Sequence, residues 1–358
     1  MPSSTVSRRS LLVAAAAPFA AGQIRLPRKI RVAIIGLQGH TGLIVEPLPQ
    51  LPDVEIVAIC DEDASALNRF VRGHAALQKA RTYPDYRRML DQEKLDVVAV
   101  CNDDGHRAAA ILACVERKLH VISEKPLATN RKDLESVKSA VAKQGVKLGM
   151  LLDMRYTPPY RGLREIVKAG KIGEVAQMSA QKSYIAGKRE AWYKNRDTYG
   201  STILWIGIHM IDLMRFTTGR DFKQASSFMG HVGFPELGSM ETTTASAFRL
   251  DNGGTAVLHM DYYRPESAPT HGDDRLRLAG TEGVAEYSEA GGVTLLSKGS
   301  KLTVIDKLPA AGSVFVDFLE NAYMNQPASL SLEDIYRACE ITIGANEAAL
   351  TGRVVSVA

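Results

Sequence analysis

A two-part α/β chain is expected from three features of the sequence. Near-continuous Val/Ile runs alternate with helical stretches up to about Met150, a glycine-rich turn follows the first such run, and strict period-two alternation takes over later. Strands apolar at every position are buried on both faces, as in a doubly wound parallel sheet. Alternating strands belong to an open, mostly antiparallel sheet with one wet face. At roughly 150 residues per domain, 358 residues allow two cores. The expected division is 28–150 and 151–358, after a separate segment 1–26, with the C-terminal helices packing back on the first domain.

Taken in order, the first strand is Ile30–Ile35, then Glu55–Cys60 closed by Asp61, Asp96–Cys101 and Leu119–Ser123. Ala108–Arg117 reads as a helix, and Leu134, Val137 and Val141 recur at helical spacing. Tyr160–Ala169 is a helix stopped by Gly170. Thr244, Ser246, Phe248 and Leu250 share one strand face, and Asp251-Asn252-Gly253-Gly254 turns the chain into a hairpin. Two helices, Phe315–Asn325 and Leu332–Leu350, end the chain; Ser331 with Asp334 resembles a capping box and Gly352 supplies a stop.

Composition narrows the function. With 44 basic and 40 acidic residues, a formal charge of +4 and no single-sign block, there is no basic stripe for nucleic acid. After Leu26 no apolar run approaches the roughly 18 residues of a membrane span, so no stable membrane insertion is expected. Cys60, Cys101, Cys114 and Cys339 show neither CxxC nor metal-ligand spacing and read as buried thiols, and no metal is expected. Ser7-Arg8-Arg9-Ser10-Leu11-Leu12 precedes an apolar run ending at Ala21, the pattern of a twin-arginine export signal. The expected destination is the periplasm; an amphipathic or disordered tail is the bland alternative, which would leave the chain cytoplasmic.

Gly36-Leu37-Gln38-Gly39-His40-Thr41-Gly42 follows the first strand. Glycine lets backbone approach a pyrophosphate, and Asp61, 19 residues after Gly42, stands where a carboxylate would accept the ribose hydroxyls. The spacing is GxxGxxG, a weak motif alone and a strong one between a strand and an acid. Asp61-Glu62-Asp63 would repel a 2′-phosphate, so the cofactor is expected to be NAD rather than NADP. Glu124-Lys125-Pro126 follows the fourth strand, which delivers Lys125 to the cleft as a proton-handling amine.

With Ile34-Ile35-Gly36, Asp61, Cys101 to His106, Glu124-Lys125-Pro126-Leu127-Ala128, Arg155-Tyr156, Lys171 to Val175, Gly207-Ile208-His209-Met210-Ile211-Asp212, Ala279 to Gly283 and Thr351 to Val355 in collinear order, the chain resembles the Gfo/Idh/MocA oxidoreductases. The resemblance implies a Rossmann domain and a C-terminal α/β domain whose open sheet forms oligomer contacts, hence a homo-oligomer. It makes Lys125 and His209 the catalytic pair and places Gly36, Leu37, Gln38, Gly39, His40, Asp61, Cys101, Asn102, His106, Glu124 and Lys125 around NAD. Arg155, Tyr156, Trp192, Tyr193, Trp205 and His209 are the expected substrate contacts. Two departures stand out: Trp205 occupies the position of the family's usual Asp, and Cys101-Asn102-Asp103-Asp104-Gly105-His106 replaces the usual Thr-Pro-Asn run.

The expected activity is NAD-dependent oxidation of a carbohydrate or polyol. Its competitors are a redox-neutral NAD-dependent lyase or glycosidase, and a sugar-binding protein that keeps NAD as a structural part.

Overall fold

The structure, a computed structural model, describes residues 22–357, so the arginine pair and apolar run of the expected signal lie outside the described residues. The first sheet contains β1 (Ile30–Ile35), β2 (Val54–Cys60), β3 (Arg81–Tyr83), β4 (Val97–Val100), β5 (His120–Ser123) and β6 (Leu148–Met150). Their order is β3-β2-β1-β4-β5-β6, all parallel. Between them run α1 (Gly42–Val45), α2 (Ala64–Gly73), α3 (Tyr86–Gln92), α4 (Asp104–Glu116) and α5 (Arg131–Gln144). β4 is buried at every residue, because helices cover both faces. Asp103 caps α4 through the His106 amide, which starts that helix earlier than its apolar residues alone suggest.

The second half opens with α6 (Pro158–Lys168), and its sheet contains β7 (Val175–Ile185), β8 (Phe222–Gly230), β9 (Thr243–Leu250) and β10 (Thr255–Arg264). It continues with β11 (Gly272–Gly280), β12 (Gly283–Ser288), β13 (Gly292–Ser297), β14 (Thr303–Val304) and β15 (Val355–Ser356). Between β7 and β8 lie α7 (Arg196–Tyr199), a π-helical turn at Ile203–Gly207, and α8 (Ile208–Thr218). The nine strands follow the order β14-β13-β12-β11-β7-β10-β9-β8-β15. β7 and β10 pair in parallel while the other neighbours are antiparallel. The chain leaves the end of β7 for the helices, forms β8 and β9, and returns beside β7 as β10, which makes that central pair parallel. On β9, Thr244, Ser246, Phe248 and Leu250 face the core while Ala245, Ala247 and Arg249 face out.

Of the final helices, α9 (Val314–Met324) packs on the first half and α10 (Leu332–Thr351) on both. Phe315, Leu319, Ile335, Cys339 and Ile343 pack into the apolar core of the first sheet. Ile341 and Ala345, on the other flank of α10, join the core of the second. Buried charges run alongside. Arg155 grips Asp212 of α8 through two donors, Nε at 2.9 Å and Nη2, and its Nη1 reaches Asp334 of α10 at 3.3 Å. Asp334 also takes Arg215 at 3.0 Å, and Asp221 takes both Arg215 and Arg337. Arg155 and Asp212 are each 1% exposed, so removing one leaves an uncompensated buried charge. Arg155→Met should therefore lower stability in urea by about 3–5 kcal/mol, with much of that loss recovered in Arg155→Met/Asp212→Leu.

Candidate active site

In sheets of this kind ligands bind beyond the carboxyl ends of the strands, where the strand order reverses. Here that place is the pair β1 and β4, joined on the far side by the end of β5. Three loops meet there. Gly36 has φ +80°, and a Cβ on it would lie 2.4 Å from Asn102 Cα, so only glycine fits this contact between the loops after β1 and β4. The Gly39 amide donates to the Cys101 carbonyl at 2.9 Å, and a Cβ on Gly39 would meet Glu124 Cγ at 2.4 Å. The loops after β1 and β5 therefore touch at a glycine.

Asp61, at the end of β2, holds the glycine turn. Its Oδ2 accepts from the Leu37 amide at 2.9 Å and from Gln38 Nε2 at 3.1 Å, and its Oδ1 accepts from the Asp63 amide. A carboxylate has lone pairs to spare for a ribose, so this duty does not displace the other. Asn102 Oδ1 is buried without a hydrogen-bond partner among the described residues, an acceptor beside the cradle. Glycine cradle, acid and orphaned acceptor fit a dinucleotide. When bound, NAD supplies the hydride acceptor of the reaction.

Glu124 and Lys125 are fully buried after β5. Glu124 Oε2 accepts from the Lys125 amide at 2.9 Å, and Oε1 accepts from the His40 amide and from the His40 ring Nδ1. Burial works to raise the Glu124 carboxyl, but the adjoining His40 imidazole and the Lys125 ammonium outweigh it and hold it well below the usual carboxylate range. Lys125 Nζ donates to the Trp205 carbonyl at 3.0 Å and lies 2.9 Å from the centroid of the Trp205 ring, a cation–π contact. Burial brings the Lys125 ammonium down to about 8, against the pull of Glu124 and Asp104.

Trp205 is carried by the π turn before α8, a local widening common at functional sites. Trp192 and Tyr193 stack at 3.8 Å and meet its ring edge-on at 5.1 and 5.8 Å. His40 stacks on it at 6.0 Å and meets His209, on the first turn of α8, edge-on at 6.5 Å. His209 is buried, its Nδ1 has no hydrogen-bond partner among the described residues, and burial followed by Lys125 holds it neutral.

Lys125, His209, His40, Glu124, Trp205, Trp192 and Tyr193 thus come together. Arg155 and Tyr156, expected as substrate contacts, do not. Arg155 is consumed by Asp212 and Asp334, and the Tyr156 hydroxyl donates to Asp317 at 2.8 Å. His106 is also elsewhere: its ring is exposed and turns to Asp103 in its own helix. Two buried ion pairs escaped the sequence reading. Arg107 pairs with Asp104 at 2.7 Å and donates to the Lys125 and Pro126 carbonyls at 2.9 Å, bracing the lysine loop. Burial pushes Asp104 up to about 7. Lys182 on β7 donates to Asp274 at 2.6 Å. The available signals were an arginine directly before the apolar run Ala108–Val115 and a lysine in the inward register of Met178 and Ala180.

The geometry now has a family. A model described as the oxidoreductase family, NAD-binding Rossmann fold, matches residues 30–151, and a GFO/IDH/MocA C-terminal domain model matches residues 160–286. The chain belongs to the Gfo/Idh/MocA oxidoreductases. A solved Thermotoga maritima protein described as an oxidoreductase is 32% identical, with a TM-score of 0.86 over 91% of this chain and 100% of that one. The inositol 2-dehydrogenase of Salmonella typhimurium is 29% identical over 53% of this family member and 57% of the relative. The D-glucoside 3-dehydrogenase of Escherichia coli is 28% identical over 53% of each. The chain thus spans little more than half the length of these two relatives.

Gly36→Ala should fold yet bind NAD about tenfold or more weakly, because the positive φ and the Asn102 contact cannot both accommodate a methyl group. Titration calorimetry with NAD, beside a thermal melt, checks this.

Proposed function

We propose that this chain is an NAD-dependent oxidoreductase acting on a CH–OH group of a carbohydrate or polyol, with Lys125 and His209 handling the hydroxyl proton. The observation that carries the reading is the meeting of Lys125, His209 and His40 around Trp205, beside a cradle fit for NAD. Inositol and D-glucoside dehydrogenases among the relatives support the substrate class. Trp192, Tyr193 and Trp205 supply the apolar faces on which sugar C–H groups pack, and the buried cation and imidazole recognise hydroxyl oxygen.

The sign of the pH dependence follows from Lys125. Lowered to about 8, the lysine is a neutral base above that pH and an ammonium below it. Oxidation should therefore speed up as pH rises through about 8 and level off, while carbonyl reduction should slow over the same range. A panel of sugars and polyols, read at 340 nm with product analysis, tests the activity. Lys125→Ala and His209→Ala should each cut turnover by about 10²–10⁴-fold with NAD still bound. Near-normal turnover in both would remove their roles.

A second reading is favoured by the indole over Lys125, in the position where the family usually carries an acid. A bound NAD would supply a reversible hydride acceptor; the sugar would be oxidised transiently, its carbonyl would acidify the neighbouring C–H, a group would leave, and the carbonyl would be reduced again. Only this reading leaves products with no net oxidation. The twin-arginine pattern suits it, since an exported enzyme has no pool of free NAD to draw on and folded export allows loading beforehand. Protein purified without added NAD should release the nucleotide on denaturation and should lie outside the cytoplasm. A cytoplasmic chain, empty of NAD and active only when it is supplied, would overturn this second reading.

A further inference from the structure

Oxidation of an alcohol releases one proton per turnover, and that proton has to reach water. The two groups assigned to it cannot take it there. Lys125 is 1% exposed, tied to the Trp205 carbonyl and covered by the Trp205 ring, and His209 is 6% exposed. His40 is the exception. Its side chain is 49% exposed although its Nδ1 rests on a carboxylate that is fully buried.

That carboxylate sets the tautomer. Glu124 is an acceptor in its charged form, so the His40 nitrogen against it carries the hydrogen and Nε2 keeps its lone pair. Glu124 itself cannot turn away, since its other oxygen holds the Lys125 amide and its Cγ abuts Gly39. The His40 ring is further held by the face of Trp205, at an interplanar angle of 14°. It meets His209 edge-on with centroids 6.5 Å apart. A ring nitrogen lies roughly 1.2 Å from its centroid, so the two imidazoles approach no closer than about 4 Å, too far for a direct hydrogen bond and suited to one bridging oxygen. His209 Nδ1, buried without a hydrogen-bond partner among the described residues, is free to take the other end of such a bridge.

We propose that His40, oriented by Glu124, is the proton relay between the buried His209 and solvent. This rests on the oxidoreductase reading and deepens it. The substrate O–H bond breaks and its proton passes by way of the neutral Lys125 amine to His209, while the C–H bond surrenders its hydrogen and electron pair as hydride to a bound NAD. A hydroxyl or water oxygen between the rings takes the proton from His209 and gives up one of its own to His40 Nε2, forming the imidazolium. His40 then loses a proton to water and returns to its first tautomer. Asp153, from the turn after β6, is the other carboxylate within electrostatic reach of His40.

The test separates relay from scaffold. At saturating NAD, His40→Ala should lower kcat by about tenfold to a hundredfold, because a relay supplies part of the usual acid–base contribution. Imidazole or methylimidazoles in the assay should restore the rate with saturation, and rescue should follow the basicity of the added base. Normal kcat, or a loss accompanied by lost NAD binding and indifferent to imidazole, would overturn the relay. A wild-type chain that fails to reduce NAD with any alcohol tested refutes the activity instead, and the relay is then decided by ¹⁵N NMR of the histidines. His40 should show the Nδ1–H tautomer in the wild type and lose that bias in Glu124→Gln. An Nε2–H tautomer in the wild type, or no change in the variant, overturns it whatever the activity.

Discussion

A carboxylate wholly removed from water must be satisfied by the protein on every side, and Glu124 is such a group. Its two oxygens hold one backbone amide from its own loop, one from the glycine loop, and the imidazole between that loop and the cleft. Gly39 is a glycine because the stem of this side chain passes where a Cβ would be. The Lys125 ammonium gains its place and part of its charge balance from the same neighbour. The cofactor loop, the lysine and the exposed histidine are thereby fixed relative to one another by a single buried charge.

The other half of the site is held by a different device. His209 sits on α8 one turn before Asp212, and Asp212 is gripped by Arg155 from the segment entering the second half. Through Asp334 the same arginine reaches α10, whose flanks lie in both apolar cores. The bidentate geometry fixes direction as well as distance. The position of the histidine relative to the lysine thus depends on packing and charge shared across the halves, with the Arg155 guanidinium engaged by Asp212 and Asp334.

Much of this was legible in the chain itself. Parallel strands declare themselves because burial on both faces leaves unbroken Val/Ile runs, and β1 matches its apolar run residue for residue. β3 and β6 are three residues each, too short to show any pattern. The parallel pairing of β7 with β10 depends on a path through α7 and α8 that no local period records. The π turn under Trp205 is apolar and buried throughout, so its sequence resembles any core helix. His40 and Glu124 were both named for the cofactor, but they are 84 positions apart, and only the fold turns two loop residues into a dyad.

The chain contains two tryptophans, Trp192 and Trp205, and both lie in the cleft with their rings 5.1 Å apart. Indole emission from this protein therefore originates in the ring that covers the lysine and in the one packed against it. Ammonium and imidazolium groups and a reduced nicotinamide all act on indole fluorescence, each in its own way. Without any label, the optical signal of the whole molecule is a report on the protonation, occupancy and redox state of one place.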